Sequence, residues 1–119
     1  MVGAGMKEVT VSLPAQLDVR METLDGTKRM TLNGELDMST CPVLQEGLDA
    51  LMGTPSAIEI DLAGLMFMDS SGLSCMLAAK KRANEEGQGL RLVNASTQVQ
   101  RLFEIAGVRD FLNGDEPAA

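Results

Sequence analysis

Ala57-Ile58-Glu59-Ile60-Asp61-Leu62-Ala63-Gly64-Leu65-Met66-Phe67-Met68-Asp69-Ser70-Ser71-Gly72-Leu73 changes its periodicity midway. From Ala57 to Leu62 apolar and polar residues alternate, as in a short strand with one face buried, whereas residues 71–86 carry helical spacing until Gly87 closes the run. Met66 to Gly72 reads as the loop through which strand becomes helix. Ser70 and Ser71 then fall at a helix N-terminus, where the first-turn N–H groups lack intrahelical partners and the dipole is positive, so an added phosphate is tolerated. Asp and Ser are also the commonest N-caps, and a nearby Gly relaxes a tight turn. Capping alone therefore accounts for the same residue types.

Outward from this stretch the pattern is regular. Val9, Val11 and Leu13 alternate before Pro14, which predicts a short first strand near a sheet edge. Leu17, Val19 and Met21 alternate with Asp18, Arg20 and Glu22, and Asp25-Gly26 supplies turn chemistry before Arg29 to Asn33, a hairpin. Leu44, Leu48, Leu51 and Met52 recur at helical spacing after Ser39, Thr40 and Pro42, although Gly47 costs that helix about 1 kcal/mol relative to Ala. Gly53-Thr54-Pro55-Ser56 ends it. The second helix buries Leu73, Leu77 and Met76, with Cys75, Ala78 and Ala79 as a small flank suited to close approach to the sheet. Leu90-Arg91-Leu92-Val93 is the last strand. Thr97-x-x-Gln100 matches a capping box for a third helix with Val99, Leu102, Phe103 and Ala106 on its apolar face, closed by Gly107.

The expected fold is α/β, in the order β-β-β-α-β-α-β-α, with parallel crossovers on a mixed sheet and flanking helices. One domain spans residues 9–112, between a flexible N-terminus (1–8) and a flexible tail (113–119). Crossovers place the loops after strand C-termini on one sheet edge, where open α/β sheets present their sites.

Composition excludes several function classes. The 119 residues suit one domain, and 45% hydrophobic content supports one core. A net charge of −7 opposes binding to nucleic acid or an anionic membrane, and Lys80-Lys81-Arg82 reads as a solvated helix face. No apolar run approaches the roughly 20 residues needed to span a bilayer, and residues 1–7 lack the basic start and apolar core of a secretory signal. A cytoplasmic protein is expected. With no histidine the chain lacks the usual metal ligand and general base, so neither an enzyme, nor a metal site, nor a cofactor is expected. Cys41 and Cys75 fall on separate helices without paired spacing, which for a reducing compartment predicts two thiols.

Asp61 to Leu73, with Asp69-Ser70-Ser71-Gly72-Leu73 as its most diagnostic part, resembles the signature of the STAS domain, specifically the soluble anti-sigma-factor antagonists of bacteria. Gly34-Glu35-Leu36-Asp37 resembles a second family segment. Asn94 to Arg101 followed by Ala106-Gly107-Val108 resembles a third, and together they span about residues 9–112. Met66 departs from the pattern, standing where a small or polar residue is expected, and the chain ends soon after Phe111-Leu112.

The resemblance implies a cycle. The unphosphorylated protein binds an anti-sigma factor that is also a serine kinase, freeing a sigma factor; the kinase phosphorylates the antagonist, the pair separates, and a metal-dependent serine phosphatase resets it. Ser71 matches the acceptor, with Ser70 as runner-up. Glu35, Asp37, Met68, Asp69, Ser70, Gly72 and Leu73 are the implied partner-binding residues, Glu35 and Asp37 lying close to the serines. Glu35 and Asp37 can equally be turn-solvating carboxylates, and Met66, Phe67 and Met68 can be packing or an adaptable patch for a partner helix. A monomer or weak dimer is expected. A non-switching module of the same fold, such as a stressosome scaffold or a lipid-transport subunit, is the alternative.

Overall fold

The computed structural model describes residues 16–52 and 56–113, so the strand expected at Val9 to Leu13 lies outside the described residues. Strand β1 (Leu17–Leu24) and strand β2 (Thr27–Leu36) form the expected hairpin, antiparallel and in unbroken register from Leu17↔Gly34 to Leu24↔Thr27. Asp25 and Gly26 both take positive φ (50° and 83°), the two-residue turn whose twist matches that of paired strands. Helix α1 (Cys41–Leu51) carries the chain across to strand β3 (Ala57–Met68), which lies parallel to β2. Helix α2 (Ser70–Glu85) then crosses to strand β4 (Gly89–Val93), parallel to β3, and α3 (Thr97–Ala106) and the short α4 (Arg109–Asn113) complete the fold. The described sheet order is β1-β2-β3-β4.

The core lies between the sheet and the helices. Met30, Leu32, Ile58, Ile60, Leu62 and Leu90 from the strands meet Leu44, Leu48, Met76, Ala83 and Phe103 from the helices, all fully or almost fully buried. On the opposite face of β3, by strand alternation, stand Glu59 and Asp61. Glu22, Arg29, Glu59 and Arg91 occupy directly paired positions on four successive strands, a ladder of alternating charge. Arg29 donates from Nε to Glu59 at 2.9 Å and Arg91 donates to the other carboxylate oxygen at 2.8 Å. Arg29 and then Arg91 hold the Glu59 carboxyl below the usual carboxylate range.

Several local expectations are corrected. Strand β3 does not end at Leu62 but continues to Met68, because register shifts between Thr31 and Asn33 and between Gly34 and Glu35 let β3 carry extra residues along β2. Those irregularities destroy the period-2 pattern, so the end of the strand resembles a loop in sequence. Lys80 is not a solvated residue: it is 1% exposed, and its ammonium donates to the Leu90 carbonyl. Ser96, not Thr97, caps α3 by accepting from Val99 N at 3.2 Å, and Gln100 donates to the Ala95 carbonyl instead. Ala106 is exposed, whereas Gly107 takes the expected left-handed conformation. Ala78 and Ala79 line a cleft between α1 and α2 with Gln45, Leu48 and Asp49, so the small flank admits α1 as well as the sheet.

The largest correction concerns the cysteines, which form a disulfide with Cα atoms 6.0 Å apart. Thirty-four residues separate them in sequence. Helices α1 and α2 come after neighbouring parallel strands and start at the same sheet edge, so Cys41 at the first position of α1 comes opposite Cys75 in the second turn of α2.

Gly34 shows how tightly the hairpin is closed. Its φ is +123°, and a Cβ built there would stand 1.8 Å from the Gln16 carbonyl oxygen, the acceptor for Glu35 N at 2.7 Å. Gly34→Ala is expected to lose about 2–4 kcal/mol of stability, since the clash is with backbone and the conformation excludes side chains. Urea unfolding followed by circular dichroism reads this directly; a loss below about 1 kcal/mol would show that the hairpin end relaxes.

Candidate functional site

The C-terminal ends of β2 and β3 are adjacent, with Leu36 paired to Met68, and the chain leaves both strands on the same edge. Each of the two exits is built around one aspartate. After β3, Asp69 is the N-cap of α2: extended backbone (φ −106°, ψ −171°), with Oδ1 accepting from Gly72 N at 2.9 Å. Ser70 is the first residue of α2, exposed, and Ser71 the second, half-buried. The capping position therefore belongs to Asp69, and neither serine hydroxyl fills it.

After β2, Asp37 does comparable work. Its Oδ1 accepts from Ser39 N at 2.9 Å, Ser39 Oγ at 2.7 Å and Thr40 N at 3.1 Å. The Ser39 hydroxyl is the largest of several influences that hold the Asp37 carboxyl below its ordinary range. Thr40 is 1% exposed; its hydroxyl donates to the Glu35 carbonyl at 2.9 Å and accepts from Asp37 N at 3.0 Å. Sequence reading took Thr40 only as a helix-start residue. Its bridging role depends on burial, which local composition does not report.

Gly72 joins the two loops. A Cβ at residue 72 would stand 2.1 Å from the Leu36 carbonyl oxygen and 3.1 Å from Met68 Cγ. Only a residue without a side chain lets the first turn of α2 rest on the end of β2. Of the residues expected at a partner surface, Glu35 and Ser70 are exposed, and Asp37, Met68 and Asp69 are half-buried. Gly72 and Leu73 lie beneath: Leu73 is 6% exposed and packs in the core, so both support the surface without presenting side chains on it.

Exposed apolar residues surround this edge. Met38 is 76% exposed on the Asp37 loop, and Met66 and Phe67 are 80% and 46% exposed near the end of β3. Packing therefore does not explain Met66. Sequence reading missed Met38; a methionine between two turn-forming polar residues was the available signal. Among the described residues no group of three or more Cys, Asp or Glu could hold a metal ion, and no helix is long and apolar enough to cross a membrane. The arrangement offers an accessible hydroxyl at the positive end of a 16-residue helix, set in a surface of methionines and carboxylates.

Residues 19–113 match the family model described as Mlab, STAS domain. The anti-sigma-B factor antagonist of Staphylococcus aureus (strain NCTC 8325 / PS 47) is 32% identical over 102 residues, 84% of this chain and 94% of that protein. Among solved structures, an anti-sigma factor antagonist from Mycobacterium paratuberculosis matches with a TM-score of 0.66 at 27% identity, over 84% of this chain and 86% of that one. The anti-sigma factor antagonist SpoIIAA in its unphosphorylated form matches at 0.64, 24% identity, over 79% and 84% of the two chains. The phosphorylated form of SpoIIAA, a Bacillus cell fate determinant, matches at 0.56, 23% identity, over 79% and 87%. These last two likenesses speak for the fold alone.

The lowered Asp37 carboxyl sets a pH dependence for its loop. A group whose folded pKa lies below its unfolded value contributes order above the unfolded value, about 3.9 for Asp, and loses it as pH falls through the folded value. Amide resonances of Ser39 and Thr40 are expected to stay unchanged from neutral pH through the ordinary Asp range and to shift only below it. Asp37→Asn should abolish that acid step. A step centred at or above about pH 4 in the wild type would refute the hydrogen-bonded carboxylate.

Proposed function

This chain belongs to the STAS domain family, matched over residues 19–113, and on that basis we propose that it is an anti-sigma-factor antagonist switched by phosphorylation of Ser71. Unphosphorylated, it docks an anti-sigma factor that is also a serine kinase on the edge formed by Glu35, Asp37, Met38, Met66, Met68, Asp69 and Ser70. A sigma factor is thereby released. The protein acts in the cytoplasm, as a binding partner and not as an enzyme.

The observation that carries this reading is the identity of the cap. Because Asp69 fills the N-cap of α2, the Ser71 hydroxyl is not committed to capping, and the next residue, Gly72, seats against the carbonyl of Leu36, the residue before Asp37. Transfer of the ATP γ-phosphoryl group forms an Oγ–P bond, breaks the bond between the γ-phosphorus and the oxygen bridging to the β-phosphorus, and releases the hydroxyl proton and ADP. A serine phosphatase hydrolyses the ester and restores the hydroxyl.

The modification adds about −1.5 to −2 charges close to Asp69. At the positive end of α2 that charge is partly compensated within the fold, whereas in a docked interface it meets carboxylates and displaces fitted surface. A hundredfold loss of affinity needs only about 2.7 kcal/mol, so no refolding is required. The kinship with anti-sigma factor antagonists at 27–32% identity supports the choice of partner.

Ser71→Ala is expected to bind the anti-sigma factor like wild type yet take up no phosphate when incubated with the host's cytosolic serine kinases and ATP, read by mass spectrometry. Phosphate persisting at wild-type stoichiometry would move the acceptor to Ser70 or elsewhere, and phosphate absent from the wild type as well would favour the non-switching module. Ser71→Asp should weaken the complex in calorimetric titration by about tenfold or more while melting within about 1 kcal/mol of wild type, since an acid at a helix start is electrostatically favoured. Unchanged affinity would remove charge at this position from the mechanism.

A further inference from the structure

The Cys41–Cys75 bond lies four residues beyond Asp37 on one side and four beyond Ser71 on the other. Cys41 N donates to the Asp37 carbonyl at 3.0 Å, so the first sulfur belongs to the loop that Asp37 organises. Ser71 and Cys75 are separated by about one helical turn and share a face of α2. The disulfide is thus a covalent tie between the two halves of the candidate site, at its base.

Its surroundings favour exchange. Cys75, itself 6% exposed, forms part of the wall of a cleft of about 280 Å³ between α1 and α2, the side from which a small thiol would have to approach the bond. Cys41, half-buried, is the first residue of α1, where the helix N-terminus stabilises a thiolate and makes it a good leaving group. We propose that Cys41–Cys75 is a reversible thiol–disulfide exchange site, cycled by low-molecular-weight thiols and their disulfides, that locks the Asp37–Thr40 loop to the Ser71 end of α2.

In the reducing direction a thiolate attacks the Cys75 sulfur, the S–S bond breaks, and Cys41 leaves as thiolate while a mixed disulfide forms on Cys75. A second thiolate attacks the outer sulfur of that mixed disulfide, releasing Cys75 thiolate and a low-molecular-weight disulfide. The pair gains two electrons, the two attacking thiols lose them, and the protein thiolates take up protons from water. Oxidation runs the same steps backwards. In the oxidised form the loop is ordered in advance of docking, which lowers the entropy cost of binding there. This consequence for binding, unlike the exchange chemistry, rests on the function proposed above.

The chain holds two cysteines, so thiol reagents act on this pair alone. Folded protein is equilibrated with graded mixtures of reduced and oxidised glutathione, quenched by alkylation and weighed by mass spectrometry. Complete passage from bridged to doubly alkylated protein within those mixtures is expected. A bond that resists reduction until the protein is denatured, or two thiols alkylated in every mixture, would overturn the proposal. Hydrogen exchange reads the lock: amides of Thr40, Cys41, Val43 and Leu44 are expected to exchange about tenfold faster in the reduced protein and in Cys41→Ser/Cys75→Ser. Equal protection in both states would leave a bond without a lock. Both measurements need this chain alone, so failure to bind an anti-sigma factor would sink the proposed function and leave the exchange site standing. Where that factor does bind, calorimetric titration should give the oxidised form at least about threefold higher affinity than the double variant, and equal affinities would remove the coupling to docking.

Discussion

The contact between Gly72 and the Leu36 carbonyl is the constraint on which the site depends. Parallel pairing of Leu36 with Met68 brings the ends of β2 and β3 together, but it does not itself bring α2 down onto them. That approach requires a residue with no Cβ at 72, because even a methyl group would overlap a backbone oxygen that cannot swing away. Once α2 is seated, Asp69 is positioned to cap it, and the serines emerge in its first turn.

Carboxylates do two different kinds of work in this acidic chain. Asp37 and Asp69 are turned inward on their own loops, accepting backbone N–H groups that would otherwise lack partners, and so act as covalently attached capping ligands. Glu59 works across strands: two arginines from flanking strands share its two oxygens on the sheet face opposite the core. The sheet is thereby held on one face by apolar packing and on the other by alternating charge. A site whose acids are already committed to structure has carboxylates fixed in place, so the phosphate of the proposed switch would meet charge that does not swing away to relieve repulsion.

The disulfide shows where compartment reasoning stops. Spacing and an expected reducing environment argued for separate thiols, and neither consideration contains the geometry of two helices starting side by side at one sheet edge. The same applies to Lys80, whose position in a basic run predicted solvation although it lies on the buried side of α2 with its ammonium on β4. Composition describes a residue's preference, whereas the crossing of α2 over the sheet decides which side of the helix is covered.

Local chemistry made much of the fold legible. The Asp25-Gly26 turn, the alternation from Leu17 to Asn33 and the start of α2 all depend on neighbours within a few residues, so the hairpin, the crossover order and a pair of serines at a helix start could be read from the chain directly. Alternation failed after Leu62 because extra residues in β3 shift its register against β2, a property of two strands and not of one. Long-range pairing therefore settled the remainder: that Leu36 meets Met68, that residue 72 must be Gly for α2 to seat, that Thr40 is buried, and that Cys41 and Cys75 join across 34 residues. Each joins residues held together by the sheet register and the placement of the crossover helices, quantities set when the core closes and not encoded by any short segment alone.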